Sequence, residues 1–335
     1  MKRLNEFIIE KLKINSQSKV NQKPELKYFP KDWNELYKLV HDLIKERGEE
    51  CDLNDIDISN ITNLQKIFDW THFDGDITYW DVSNVTNMFA MFGYSTFTGK
   101  NTDLSKWDVS NVQTMEHMFY NCKLLDTVDI SGWDVSKVTN MKSMFMCSNF
   151  NGDISNWNVS KVLSMEDMFN QNVHFNQDIS KWNVSSVRSM KSMFLQSKFN
   201  QDISKWDVSK VEDMSEMFTR NYSFNQDISK WNVGKVKKMD HMFESANSFN
   251  QDISKWNVSS VENMFEMFYC AKEFNQDLSN WDVSNVKDMK FMFTHAKSFD
   301  QDLSSWKVSE SCKMEKMFAK TPIEKNPPSW YHEKD

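Results

Sequence analysis

The chain has 335 residues with a formal net charge of -8, and 39% of its residues are hydrophobic, enough to bury a substantial core. Its 22 Met, 13 Trp and 25 Phe stand against only 7 Gly and 5 Pro, which excludes collagen-like, linker-like and disordered chains. No apolar run reaches the roughly 18 residues of a membrane span, and the acidic balance argues against a whole-molecule nucleic-acid binder.

Residues 1–28 read as an amphipathic tag and linker. Leu4, Phe7, Ile8 and Leu12 share one face with a basic polar face opposite, followed by a polar stretch. Lysines and arginines outnumber acids over the first 31 residues, so this part is a distinct unit that docks a partner protein. Glu6, Glu10 and Lys11 interrupt any signal-peptide core, so the reading is cytoplasmic or virion-associated rather than classically secreted. Residues 29–51 predict a helical cap: Asp32 is the N-cap, Leu36, Leu39, Val40, Leu43 and Ile44 form the apolar face, and Gly48 ends it.

Residues 52–321 are a repeat of about eleven coils. Ten Trp form a series (Trp80, Trp107, Trp133, Trp157, Trp182, Trp206, Trp231, Trp256, Trp281, Trp306) spaced by 24 to 27 residues, and Ile56 stands in the Trp place of an earlier copy. Aligned on Trp, the unit reads F-N-Q-D-I-S-x-W-(D/N)-V-S-x-V-x-x-M-x-x-M-F, as from Phe175 to Phe194. Methionines recur eight and eleven residues after each Trp, from Met88 and Met91 to Met314 and Met317. The Met wealth is therefore architectural rather than a metal or soft-groove signature.

Within the unit, Ile179-x-x-Trp182-x-Val184 has the apolar spacing of a leucine-rich-repeat strand. The following Val187-x-x-Met190-x-x-Met193-Phe194 has the spacing of a helical or 3₁₀ face. One coil cannot bury these side chains by itself, so the coils must stack, about 4.8 Å apart, into a solenoid about 50 Å long. The predicted fold class is thus an α/β repeat solenoid with one short strand and one short helical or 3₁₀ segment per coil, behind a helical N-terminal cap. Longer spacings predict insertions at 96–101 and 123–127, where Lys100 and Asp126 stand at the Phe position. Residues 322–335 form a C-terminal cap or tail, with Pro322, Pro327 and Pro328 stopping further coils and Trp330 folding over the last one.

The repeat unit resembles that of the BspA-like bacterial surface-protein repeats, a Met- and Trp-rich offshoot of the leucine-rich-repeat group. That resemblance implies a right-handed coil stack and a binding or adhesion role on cell surfaces. A weaker resemblance links L-N-E-F-I-I-E-K-L-K-I-N at the start of the chain to leader segments on proteins of gut tailed phages. It implies the alternative, a phage-associated structural or cargo protein whose solenoid is a scaffold.

No catalytic constellation, cofactor motif or metal-ligand spacing is present in the sequence, so an enzyme, a cofactor and a metal site are not expected. The seven histidines fall at unrelated repeat phases, apart from His117 and His241, and read as solvent-exposed. Five Cys without a Cys-x-x-Cys pair read as buried free thiols. The Asp four residues before each Trp reads as the acceptor of a tight turn with the Ser two before Trp. Function is left to the positions flanking Trp. Lys181, Lys205, Lys230 and Lys255 precede it, and Asn183, Asp207, Asn232 and Asn257 follow it. Read as outward columns of the strand face, they form a basic stripe for a protein or a polyanionic glycan.

Overall fold

The computed structural model describes residues 24–124 and 128–332; the N-terminal amphipathic tag and Asp126 lie outside the described residues. Helix α1, Trp33–Arg47, opens the described chain. Asp32 accepts the Glu35 N–H at 3.0 Å, while the Glu35 carboxylate accepts the Lys31 N–H at 2.9 Å, so each side chain satisfies an orphan donor of the other's turn. Gly48 closes the helix at φ 94°, a conformation that a side chain would strain. Leu36, Val40 and Leu43 are buried, and the Trp33 indole donates to the Gln65 carbonyl at 2.8 Å, which ties the helix to the first coil.

Behind α1 the chain winds into stacked coils, each built from turns. In the coil of Trp182, five bonds between residues three apart close on Trp182, Val187, Met193, Leu195 and Ser197. Single parallel bridges join Ser164 to Ser189 and Ser189 to Asp213, and the same column continues from Asn63 to Lys313. From Ser189 onward alternate N–H groups reach into the next coil: Met190 to Asp213, Ser192 to Ser215, Phe194 to Met217 and Gln196 to Thr219, at 2.8–3.0 Å.

This corrects the predicted coil. The inter-coil ladder lies on the segment read as helical, and the segment read as a strand, around Ile179 and Trp182, is turns. Two short 3₁₀ segments, Leu104–Lys106 and Pro322–Lys325, are the 3₁₀ helices among the described residues. The physical reason is that a three-residue apolar spacing suits successive turns as well as a helix. An α-helix would bind its N–H groups within the segment, whereas a stack with a constant period offers every second N–H a carbonyl one level up. The device that permits this is a pair of left-handed residues per coil, as at Ser192 (φ 54°) and Gln196 (φ 52°), found in all eleven coils from Lys66 and Trp70 to Lys316 and Lys320. A positive φ at the third position is what a type II turn requires. It costs a non-glycine residue about 1–2 kcal/mol, offset here because the same residue's N–H bonds to the next coil.

The core is a set of columns. The repeat-position Trp, Met, Val, Ile and Phe of the coils from Trp157 to Trp256 are at most 4% exposed. Adjacent Trp rings stack with centroids 6.4–6.5 Å apart, as Trp107 on Trp133 and Trp182 on Trp206. Within a coil Phe194 and Phe199 stack at 4.1 Å. Each indole also donates to the Ile or Leu carbonyl of the preceding coil, Trp182 to Ile154 at 3.0 Å. At the far end Trp330 makes the same bond to Leu303 at 2.8 Å and stacks on Trp306 at 5.9 Å, occupying the place an additional coil would fill.

The two longer spacings leave the core intact. Phe97 is fully buried and stacks on Phe92 at 4.1 Å, so the first insertion falls after the ring and Lys100 replaces nothing in the core. In the next coil Leu124 is buried at the corresponding distance from Phe119. Where the Phe-to-Phe spacing grows by one residue, a fully buried Asn172 or Asn221 takes up the excess in two coils, and a fully buried Ala246, Ala271 or Ala296 stands there in three others. Asn172 donates to the Phe150 carbonyl at 3.0 Å and accepts the N–H groups of His174 and Phe175, and Asn221 repeats the arrangement two coils later.

Candidate functional site

Two long faces run along the stack. The first carries the columns flanking Trp. Lys181, Asn183, Lys205, Asp207, Lys230, Asn232, Lys255 and Asn257 are all exposed, although on turns rather than on a strand. The Asn and Asp column is engaged locally: Asn183 accepts the Ser185 N–H, Asp207 that of Ser209, Asn232 that of Gly234 and Asn257 that of Ser259, at 3.0–3.2 Å. This explains why only Asn or Asp serves there through the middle coils. The Asp four residues before Trp does the same for the Ser two residues on, as Asp178 for Ser180 at 2.9 Å. Hydrogen bonds from that Ser hold the carboxyl of Asp178 below the usual carboxylate range. The exposed acids Asp178, Asp202, Asp227 and Asp252 thus stand three residues before the four lysines. None of the four lysines makes an ion pair with a described residue.

The second face is the inter-coil ladder, which sequence reasoning did not select because it was read as a helix. Its edge carries charges of alternating sign in successive coils: Arg188, Glu212, Lys237, Glu262 and Lys287. Arg188 and Lys237 both reach Glu212, at 3.6 and 3.4 Å, and Lys287 reaches Glu262 at 2.5 Å. Alternation turns what would be a repelling column into a self-paired one. Such exposed pairs contribute little each, and their effect is to neutralise this edge.

At the N-terminal end the ladder face is aromatic. Trp70 is 70% exposed and Tyr94 39% exposed. Their rings stack at 4.2 Å and 15°, and Tyr120 meets Tyr94 edge-on at 4.6 Å. Both Trp70 and Tyr94 hold left-handed backbone, which projects the side chains from the rim of the turn. Hydrogen bonding to Tyr94 and burial push the Tyr120 hydroxyl well above its usual value.

At the C-terminal end lies a cavity of about 730 Å³ lined by Glu266, Tyr269, Phe291, His295, Lys316 and Tyr331 among others. Beside it, His241 Nδ1 lies 2.9 Å from Glu244 Oε2 and 3.5 Å from Glu266 Oε2. Burial would lower the His241 pKa, but its hydrogen bond to Glu244 and the charges of both carboxylates raise it. Glu244 is held below its usual range by that bond, whereas burial raises Glu266. His241 and His117 are half-buried rather than exposed, as are His41 and His295; His72, His174 and His332 are exposed. The cysteines are free: Cys51, Cys122 and Cys312 are buried, Cys147 and Cys270 partly so. Burial pushes the Cys122 thiol up to about 12, which makes it an unreactive core residue. Among the described residues no helix is long and apolar enough to cross a membrane.

One solved structure similar to this chain is the functional domain of InlJ from Listeria monocytogenes, which includes a cysteine ladder. The likeness has 10% identity and a TM-score of 0.27, covering 79% of this chain and 52% of that one. The chain therefore spans about half the length of that neighbour. No curated protein matches the sequence. A family model described as "Mycoplasma protein of unknown function, DUF285" matches residues 38–146, 125–225, 195–269 and 219–330. These overlapping matches run through nearly every coil, and the chain belongs to the DUF285 repeat family.

Proposed function

We propose that this protein is a non-catalytic binding protein of adhesion type, and that the ladder face takes its ligand. The observation that carries this reading is the exposed stack of Trp70 on Tyr94. Large aromatics left in water on a rigid backbone lose little conformational freedom when covered, and a flat, preorganised pair of this kind marks an interaction surface. A polysaccharide suits it best: sugar rings present flat C–H faces to aromatic rings, and the edge alongside is polar and self-neutralised. The likeness of the repeat to BspA-like surface proteins supports the same role.

Titration of the full chain against a panel of neutral and anionic polysaccharides tests the proposal. Trp70→Ala and Tyr94→Ala should each weaken the interaction by about tenfold or more, the loss expected for a central aromatic anchor. Unchanged affinity in both variants overturns the ladder-face reading.

A second reading rests on the four lysines Lys181, Lys205, Lys230 and Lys255, which make no ion pair with a described residue while their counterparts Arg188, Lys191, Lys237 and Lys287 on the ladder face are paired. With Asn183, Asp207, Asn232 and Asn257 between them, they would hold a polyanionic glycan or an acidic protein. Reversal of all four to Glu should abolish binding to an anionic polysaccharide, and native binding should fall steeply with salt. Recovery of the protein in phage particles instead of a polysaccharide interaction would favour the scaffold alternative.

A further inference from the structure

We infer that His241, Glu244 and Glu266 form a binding site for one divalent transition-metal ion of the zinc class. One ligand atom from each lies within 4.8 Å of the other two. Zinc takes nitrogen and oxygen ligands at about 2.0–2.2 Å in a tetrahedron, so neighbouring ligand atoms sit about 3.3–3.6 Å apart. Of the distances from His241 Nδ1 to the two carboxylate oxygens, 3.5 Å falls within that range and 2.9 Å just below it. The two carboxylate oxygens lie within 4.8 Å of each other, so small side-chain rotations bring the three ligands onto one ion.

Charge and support point the same way. Two half-buried carboxylates share one imidazole, and among the described residues the ion pairs of Glu266 are limited to His241. Glu244 is turned by Arg220, whose Nη2 lies 3.5 Å from Oε1 and leaves Oε2 to face the histidine. The ring of His241 is set edge-on against Phe265 at 5.0 Å, a contact that fixes its orientation. Asp240 adds a further negative charge that raises the His241 pKa. A cation bound by these groups would relieve the repulsion that two close carboxylates otherwise maintain. All three ligands come from the ladder: His241 and Glu266 are equivalent left-handed residues of adjacent coils, and Glu244 lies three residues after His241. Stacking, not sequence spacing, brings them together. Three protein ligands leave a fourth position open, next to the cavity that Glu266 lines.

Equilibrium dialysis of the chelator-stripped full chain against zinc chloride tests the assignment, with magnesium chloride as the hard-cation comparison. Wild type should take up one zinc per chain and no magnesium. His241→Gln and Glu266→Gln should weaken uptake by about tenfold or more, while Cys270→Ser and Glu212→Gln leave it unchanged. Circular dichroism confirms that each variant is folded; Glu266→Gln, close in shape to the native side chain, remains informative if His241→Gln is not. Absence of saturable zinc uptake, equal uptake of magnesium, retention of zinc by both site variants, or loss of zinc in Cys270→Ser overturns it.

Discussion

The indole N–H of Trp182 donates to the carbonyl oxygen of Ile154, one coil earlier, at 3.0 Å. The bond recurs in every Trp of the series from Trp80, which binds Leu53, to Trp306, which binds Leu278. The column thus adds a directional inter-coil bond to its hydrophobic burial, which is why a tryptophan rather than another large aromatic stands there. Trp182→Phe keeps a stacked ring but removes one of the two donors of the Ile154 carbonyl, which still accepts the Trp157 N–H at 3.1 Å. Chemical denaturation should show a loss of about 2 kcal/mol from the lost hydrogen bond and the reduced volume together.

At the C-terminal end, Trp330→Phe tests the cap. It removes the bond to Leu303 at the partly exposed end of the stack, where water can replace the donor. The loss should be smaller than at Trp182, about 1 kcal/mol, and hydrogen exchange should show the last coil opening first.

Asn172 carries four hydrogen bonds at a fully buried position, to Ser148, Phe150, His174 and Phe175. Asn172→Ala leaves the Phe150 carbonyl and two backbone N–H groups to find new partners. A loss of about 2 kcal/mol or more in denaturation follows. Asn172→Asp should be worse still, since burial of a charge facing that carbonyl is added.

The left-handed positions can be probed where the side chain is exposed. Gln171 has φ 55° and lies on the surface. Gln171→Gly relieves the steric cost but loosens the unfolded chain, for a net gain below about 1 kcal/mol. A β-branched residue fits this region poorly, so the melting temperature should rank Gly above Gln above Val.

Acid should weaken the stack through the turn aspartates. Hydrogen bonds from the following serines lower the carboxyl pKa of Asp129, Asp153, Asp178, Asp202, Asp227, Asp252 and Asp277 in the folded state. A folded pKa below the unfolded one, about 3.9 for Asp, means stability that is present above that value and is lost as pH falls through the folded pKa. Thermal melts should therefore drop below about pH 4, each group contributing little because it is exposed. Asp178→Asn, Asp202→Asn and Asp227→Asn in one chain should flatten that dependence, since Asn caps the same turn without titrating.

Much of the architecture was legible in the primary structure because the solenoid repeats its chemistry. The period of Trp, the Met columns, the Asp32 cap and the turn aspartates all follow from local pattern and composition. The course of the backbone within a coil was not legible. A spacing of three between Val187, Met190 and Met193 fits a helical face and a run of turns equally, and the two differ only in where each N–H finds its carbonyl. Adjacent coils supply that carbonyl, so the ladder and its left-handed residues exist only in the stack.

The same distinction separates the surfaces. Lys181 and Asn183 are neighbours in sequence and could be named as a candidate face from spacing alone. Trp70 meets Tyr94, and His241 meets Glu266, across about one repeat of chain. By itself the sequence determined that the coils stack and which side chains fill them, since burial of a periodic apolar set has one economical solution. Only the tertiary structure decided which variable residues become neighbours, because contact between coils depends on register and on the direction each turn gives its side chains.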